Sequence, residues 1–169
     1  TSGKEVKVLI QNYANLTLTD MDLEGTNENI LYGLSSNSGK ITLNGDTDIT
    51  VHEKAVADDD YHHSAARYAV PSMNVNTTGK INGKIEVSET ASLAISGGTF
   101  TTKIEEKWCA EGFIPTANTD GTYGVKVGAY VAETDGKKYE TLAEAVAAAE
   151  NGSTVNLLTD ASGAGVVVN

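Results

Sequence analysis

The sequence predicts an all-β chain, a parallel β-helix of the solenoid type carrying one short capping α-helix near the C-terminus, and three observations predict it. Apolar residues come in short period-two pairs from Val6 to Phe100, the signature of strands with one face turned inward. Where pairs follow one another closely most are centred roughly 7 to 12 residues apart, with few two-residue hairpin signals between them, a rhythm closer to solenoid coils than to hairpins. Thr and Asn recur within the strands as if stacked in ladders. The same rhythm also fits an antiparallel β-sandwich, which stays as the alternative fold.

In chain order the pairs are Val8 and Ile10, Leu16 and Leu18, Met21 and Leu23, Ile41 and Leu43, Ile49 and Val51, Met73 and Val75, Ile85 and Val87, and Leu93 and Ile95. Turn clusters separate them, among them LEGTNEN, SSNSGK, NGDTD, TTGKINGK and SGG, where Gly and Asn tolerate positive φ and short polar side chains bond nearby backbone. Residues 51–72 break the rhythm with clustered charge and histidine before Pro71, and read as a loop protruding from the stack. After Phe100 the only Trp and the only Cys stand beside a Phe-Ile pair, a DGT turn and a closing strand, which together read as a terminal cap.

Residues 141–150 predict the one helix. Thr141 and Glu144 stand at capping-box spacing, Leu142, Ala145, Val146 and Ala149 share a face, and Gly152 is placed to stop it. STVNLLTD and GVVVN then resume strand character, as though the chain stopped inside a structure.

Composition narrows the function classes. A formal charge of -11 with a single arginine, Arg67, repels phosphate backbones, so nucleic acid is excluded as an expected partner. One cysteine, Cys109, rules out an internal disulfide framework and a multi-cysteine zinc site. No run approaches the roughly 18 apolar residues of a membrane span, and no basic, apolar leader opens the chain, so a soluble piece of a longer protein is expected. With 20 Thr, 13 Asn, 11 Ser and 17 Gly against two Pro, the composition suits many tight turns between short strands.

Three segments carry a resemblance. NVNTTGKINGKIEV at 74–87, ISGGTFTTKIEEKWCAEGFIPTANTDGTYGV at 95–125 and GKKYETLAEAVAAAENGSTVNLLTD at 136–160 resemble repetitive bacterial cell-surface proteins of the pectin-lyase-like right-handed β-helix class. The second is similar to that family's close of one β-helical block: a GG-T-F strand, a Cys-Ala-x-Gly-aromatic cap, then DGTYGV. The third looks like the opening of the next block. The resemblance implies a boundary near Val127 to Ala129: 1–127 as the C-terminal part of one block with its cap, and 128–169 as the start of another. It implies an extracellular, cell-surface location and says little about activity.

Candidate chemistry is sparse. Asp58, Asp59, Asp60, Tyr61, His62 and His63, followed by Arg67, are the one crowd of acids, imidazoles and a guanidinium. Polysaccharide lyases and hydrolases use acidic clusters for calcium or for acid and base work, but adjacent aspartates on one loop diverge, so the run reads as a solvated loop, with Asp58, Asp59, Asp60, His62 and His63 as weak metal candidates. His52 reads as an outward residue at a strand end, and Cys109 as a buried cysteine of the cap. GKINGK, SGGT and SGAGVVVN lack the spacing of a phosphate loop. The three glycosylation sequons, at Asn15, Asn76 and Asn151, are what so Thr- and Asn-rich a chain yields by chance. Tyr13, Tyr32, Tyr61, Tyr68, Tyr123, Tyr130 and Tyr139 could stack on sugar rings only if several shared a flank.

The expectation is a non-catalytic structural or adhesive β-helix module of a secreted bacterial surface protein, with no cofactor and no resident metal. A glycan or a host or cell-wall surface is the expected partner, and head-to-tail self-association is anticipated through strand edges at the chain ends. A carbohydrate-binding module, and a polysaccharide lyase or hydrolase using the 58–67 loop, are the rival readings.

Overall fold

The structure is a computed structural model and describes residues 8–25, 30, 32–58, 71–161, 163, 165 and 166. The chain is mostly β, with parallel and antiparallel strands and, among the described residues, one α-helix. It divides into two compact units at Lys126 and Val127.

In the first unit the strands β1 (Val8–Asn12), β2 (Leu16–Thr19), β3 (Asp22–Glu24), β4 (Tyr32–Ser36), β5 (Lys40–Gly45), β6 (Asp48–Asp58), β7 (Ser72–Thr77), β8 (Lys80–Glu86), β9 (Ser92–Ile95) and β10 (Thr99–Phe100) are shared between two sheets. One sheet runs β2-β5-β7-β9, parallel throughout. The other begins β1-β4-β6-β8-β10, again parallel, with β3 alongside β6. It continues into β12 (Tyr123–Val127), which meets β10 antiparallel, and then β11 (Phe113–Ala117). The antiparallel sandwich is therefore corrected for this unit: every described pair from β1 to β10 is parallel.

Register explains the core. Leu16, Ile41, Met73 and Leu93 are successive partners across the four-stranded sheet, as are Leu18, Leu43, Val75 and Ile95. Across the larger sheet Leu23, Ile49, Ile81 and Phe100 are aligned, and so are Ile10, Leu34, Val56 and Ile85. The members of all four columns belong to one buried cluster or pack against it. Each fully buried member contributes about 1.5–3 kcal/mol of transfer free energy. A one-residue slip would send a whole column outward, so the apolar alternation sets the register.

Several expectations change. Residues 51–58 are strand, not loop: β6 runs through Asp58 because its first part pairs with β3 and its last with β4. Ala55, Val56 and Ala57 are all buried there, and the register against β8 shifts between Thr50 and Lys54 and again between Lys54 and Val56, which breaks the alternation that would have revealed the strand. Met21 precedes β3 and is exposed, so only Leu23 of that pair enters the core. Ser35 and Ser36 of β4 are buried where SSNSGK suggests a turn.

The second unit holds β13 (Ala132–Thr134), β14 (Lys137–Tyr139), α1 (Leu142–Ala148) and β15 (Val155–Leu157), with β13 antiparallel to both neighbours. The capping box forms as expected: the Glu144 amide donates to Thr141 Oγ1 at 3.2 Å, and the Thr141 amide donates to Glu144 Oε2 at 3.1 Å. Ala145 is buried and Leu142, Val146 and Ala149 half-buried, so the anticipated face is the packed one. The helix stops earlier than Gly152: Ala149 adopts an extended backbone as its C-cap, and Gly152 sits at φ +94° in the following turn. Gly165 and Val166 of GVVVN are not in a strand, and residues 167–169 lie outside the described residues.

Candidate functional site

The four-stranded parallel sheet turns its apolar columns inward and presents what lies between them. Because side chains alternate, Thr17 and Thr19 of β2, Thr42 and Asn44 of β5, Asn74 and Asn76 of β7 and Ala94 of β9 share the outer face. Register makes two rows of them: Thr17, Thr42, Asn74 and Ala94 in one, Thr19, Asn44 and Asn76 in the other. Neighbours within a row stand about 4.8 Å apart and the rows lie about 6.6 Å apart along the strands. The ladders anticipated from the recurrence of Thr and Asn are thus real as register.

These side chains are unspent. Among the described residues the side chains of Thr17, Thr19, Thr42, Asn44, Asn74 and Asn76 make no hydrogen bond within the protein. Every one of them carries both donor and acceptor capacity. No charged residue stands in either row. Among the described residues charge is confined to the rim, with Lys40 at the start of β5 and, at the other end of the strands, Asp20 and Asp46, the Asp46 amide donating to Asp20 Oδ1 at 2.9 Å.

Just beyond the rows, a buried hydroxyl fixes the turns leaving this sheet. Thr77 Oγ1 accepts from the Thr47 amide and from the Gly79 amide, both at 2.9 Å, and has the Thr47 and Gly45 carbonyls within donating reach at 2.9 and 3.0 Å. One donor and two lone pairs are all a threonine hydroxyl owns, and all are used. At the opposite end of these strands Asn12 Nδ2 donates to the Ala14 and Ser38 carbonyls at 2.7 and 3.0 Å and to Ser36 Oγ at 3.3 Å. The polar face is therefore held by bonded turns at both ends.

The larger sheet has a different exterior. Lys54 Nζ pairs with Glu86 Oε1 at 2.8 Å and lies 5.2 Å from the Tyr32 ring centroid. The Glu86 carboxylate raises the Lys54 ammonium above its ordinary value, keeping it a cation. Beside β9 a groove of about 370 Å³ is lined by Val87, Ser88, Glu89, Leu93, Lys107 and Trp108, among others. Lys107 Nζ sits 5.4 Å from the Trp108 ring centroid and the indole is buried, so the ring offers no open stacking face.

Of the residues singled out in the sequence, Asp59, Asp60, Tyr61, His62, His63, Arg67 and Tyr68 lie outside the described residues, and Asp58 is described only as the last residue of β6. His52 is exposed, as anticipated, but in the middle of β6 and not at its end. Cys109 is half-buried, not fully buried. It bridges to Ile95, and burial pushes its thiol above the ordinary range. Tyr13 is exposed, whereas Tyr32, Tyr123, Tyr130 and Tyr139 are half-buried and divided between the two units. Among the described residues no three His, Cys, Asp or Glu side chains gather closely enough to hold a metal ion, and no helix is long and apolar enough to cross a membrane.

No family model, curated protein or solved structure matches this chain.

Proposed function

We propose that the first unit is a right-handed parallel β-helix serving as a non-catalytic structural or adhesive module of a secreted bacterial surface protein. The observation that carries this reading is the in-register stacking of aliphatic columns across two sheets whose strands from β1 to β10 pair in parallel and, apart from β3 and β4, alternate between the sheets along the chain. Strand-to-crossover-to-parallel-strand connections are right-handed in nearly all proteins, which supplies the hand. Stacked coils satisfy backbone groups along the axis and touch only their neighbours, giving a stiff element suited to holding a surface away from a cell. The likeness to bacterial surface repeats supports the setting: Gly97, Gly98, Thr99 and Phe100 stand at the step from β9 to β10, and Cys109, Ala110, Gly112 and Phe113 lead into β11, where β12 and β11 cover the β10 edge. Head-to-tail association belongs to the same reading, through β1 and β2, whose outer edges have no partner among the described residues.

The coding sequence around this chain tests the setting: a secretion signal and a wall-anchoring or wall-binding segment are expected, and a cytoplasmic enzyme context would overturn it. Sedimentation at rising concentration tests the association, which a strictly monomeric mass would refute.

A further inference from the structure

We infer that the outer face of the β2-β5-β7-β9 sheet is a binding surface for an uncharged polysaccharide, laid across the strands along the rows Thr17-Thr42-Asn74 and Thr19-Asn44-Asn76. This rests on the surface-module reading for the setting in which such a polymer would be met, and on the geometry of the face for the chemistry.

Charge selects the class of ligand. In a chain of net charge -11 these two rows hold no ionised group, and among the described residues one lysine stands on one rim and aspartates on the other. Nucleic acid and uronate polymers are repelled by the molecule as a whole, and no basic row compensates. A protein partner binds through buried aromatic, arginine or aliphatic anchors, and the face has none. An uncharged glycan needs what the rows contain: hydroxyls and amides that both donate and accept, none committed to an internal bond.

Geometry selects the direction. Partners repeat at the strand spacing of about 4.8 Å, near the advance of one sugar in an extended chain, so a polymer running across the strands meets a new Thr or Asn with each residue. Thr and Asn are short, and the register holds them on one face, so little side-chain entropy is lost on contact. Each bond is modest, so affinity grows with the number of sugars engaged.

The full chain, labelled with 15N, should be titrated with cellohexaose, mannohexaose and laminarihexaose, and with hexagalacturonate as the charged comparator, following the side-chain amides of Asn44, Asn74 and Asn76. At least one neutral hexasaccharide should shift these amides saturably, and hexagalacturonate should not. Thr42→Val and Asn74→Ala should each weaken binding about three- to tenfold, the worth of one net hydrogen bond. Asn74→Asp should weaken binding similarly or more, and His52→Ala, on the other sheet, should leave it unchanged. Unmoved amides in a folded chain, preference for hexagalacturonate, or equal effects of Asn74→Ala and His52→Ala would each overturn the proposal. So would ice shaping lost in Thr42→Val without any glycan binding, because it would give the face to a water lattice. Failure here leaves the secretion and anchoring test standing, and failure of that test leaves a measured glycan affinity intact.

Discussion

Replacing Thr77 by Val removes a hydroxyl while keeping the side chain's shape, and the structure allows its cost to be worked out. Thr77 is 2% exposed, and the Thr47 and Gly79 amides both donate to its oxygen. The Gly45 carbonyl keeps the Thr78 amide at 2.8 Å, so the acceptor side is partly compensated. Two buried amide donors lose their acceptor, at about 1–3 kcal/mol each, for a total of about 2–6 kcal/mol. That is a large share of the roughly 5–15 kcal/mol typical of a whole domain. Thr77→Ser keeps the hydroxyl and gives up one methyl, worth about 0.8 kcal/mol. Urea unfolding followed by far-ultraviolet circular dichroism should show the Val variant's midpoint falling by about 1–3 M and the Ser variant's by much less. Amide exchange at Thr47 and Gly79 should accelerate in the Val variant alone. A Val variant within about 0.5 kcal/mol of the parent, or unchanged exchange at those two amides, would refute the reasoning, since surface-like substitutions cost no more than that.

Thr141→Ala should remove the side-chain half of the capping box, leaving the backbone amide at 141 to donate to Glu144 Oε2, and destabilise the second unit by about 0.5–2 kcal/mol, read as faster exchange of the Glu144 amide with the first unit's amides unchanged. Cys109 should alkylate more slowly than a free cysteine at about pH 8 and reach the free rate once urea unfolds the chain, because burial holds its thiol protonated. The folded state therefore binds that proton more tightly than the unfolded one, so stability should fall as pH rises past the ordinary thiol value. Cys109→Ser should flatten that dependence.

Much of the fold was legible because its strongest signal is local. A period-two pattern declares which face each residue takes: Ile41 with Leu43, Met73 with Val75 and Leu93 with Ile95 enter the core as the alternation requires. Capping residues at Thr141 and Glu144 were legible for the same reason, since both partners lie within one helical turn. What stayed hidden depends on partners far along the chain. Ser36 is buried because Asn12, 24 residues earlier, places an amide against it, and no local pattern announces that bond. The second half of β6 is concealed because Ala55, Val56 and Ala57 are buried in succession beside a register shift. The polar face was half legible. Recurring Thr and Asn suggested ladders, but the pairing of Thr42 with Asn74 and of Asn44 with Asn76 on one face requires the register. The acids and histidines of 58–67 stand out in the sequence because their residue types are crowded side by side, whereas the members of the polar face are spread over three strands.

The aliphatic columns carry a consequence for how such a chain can change. Leu18, Leu43, Val75 and Ile95 are consecutive partners although the lengths of chain between them are unequal, the longest interval being the one that contains residues 59–70. Register is satisfied by where strands land and is indifferent to the contour length spent in reaching the next one. Doubling a flexible connection costs only about 0.6 kcal/mol of closure entropy, less than the loss of a single buried methylene. Such a molecule can lengthen or shorten a connection between successive strands while its core atoms stay where they are, which gives inheritance a place to experiment at little structural risk.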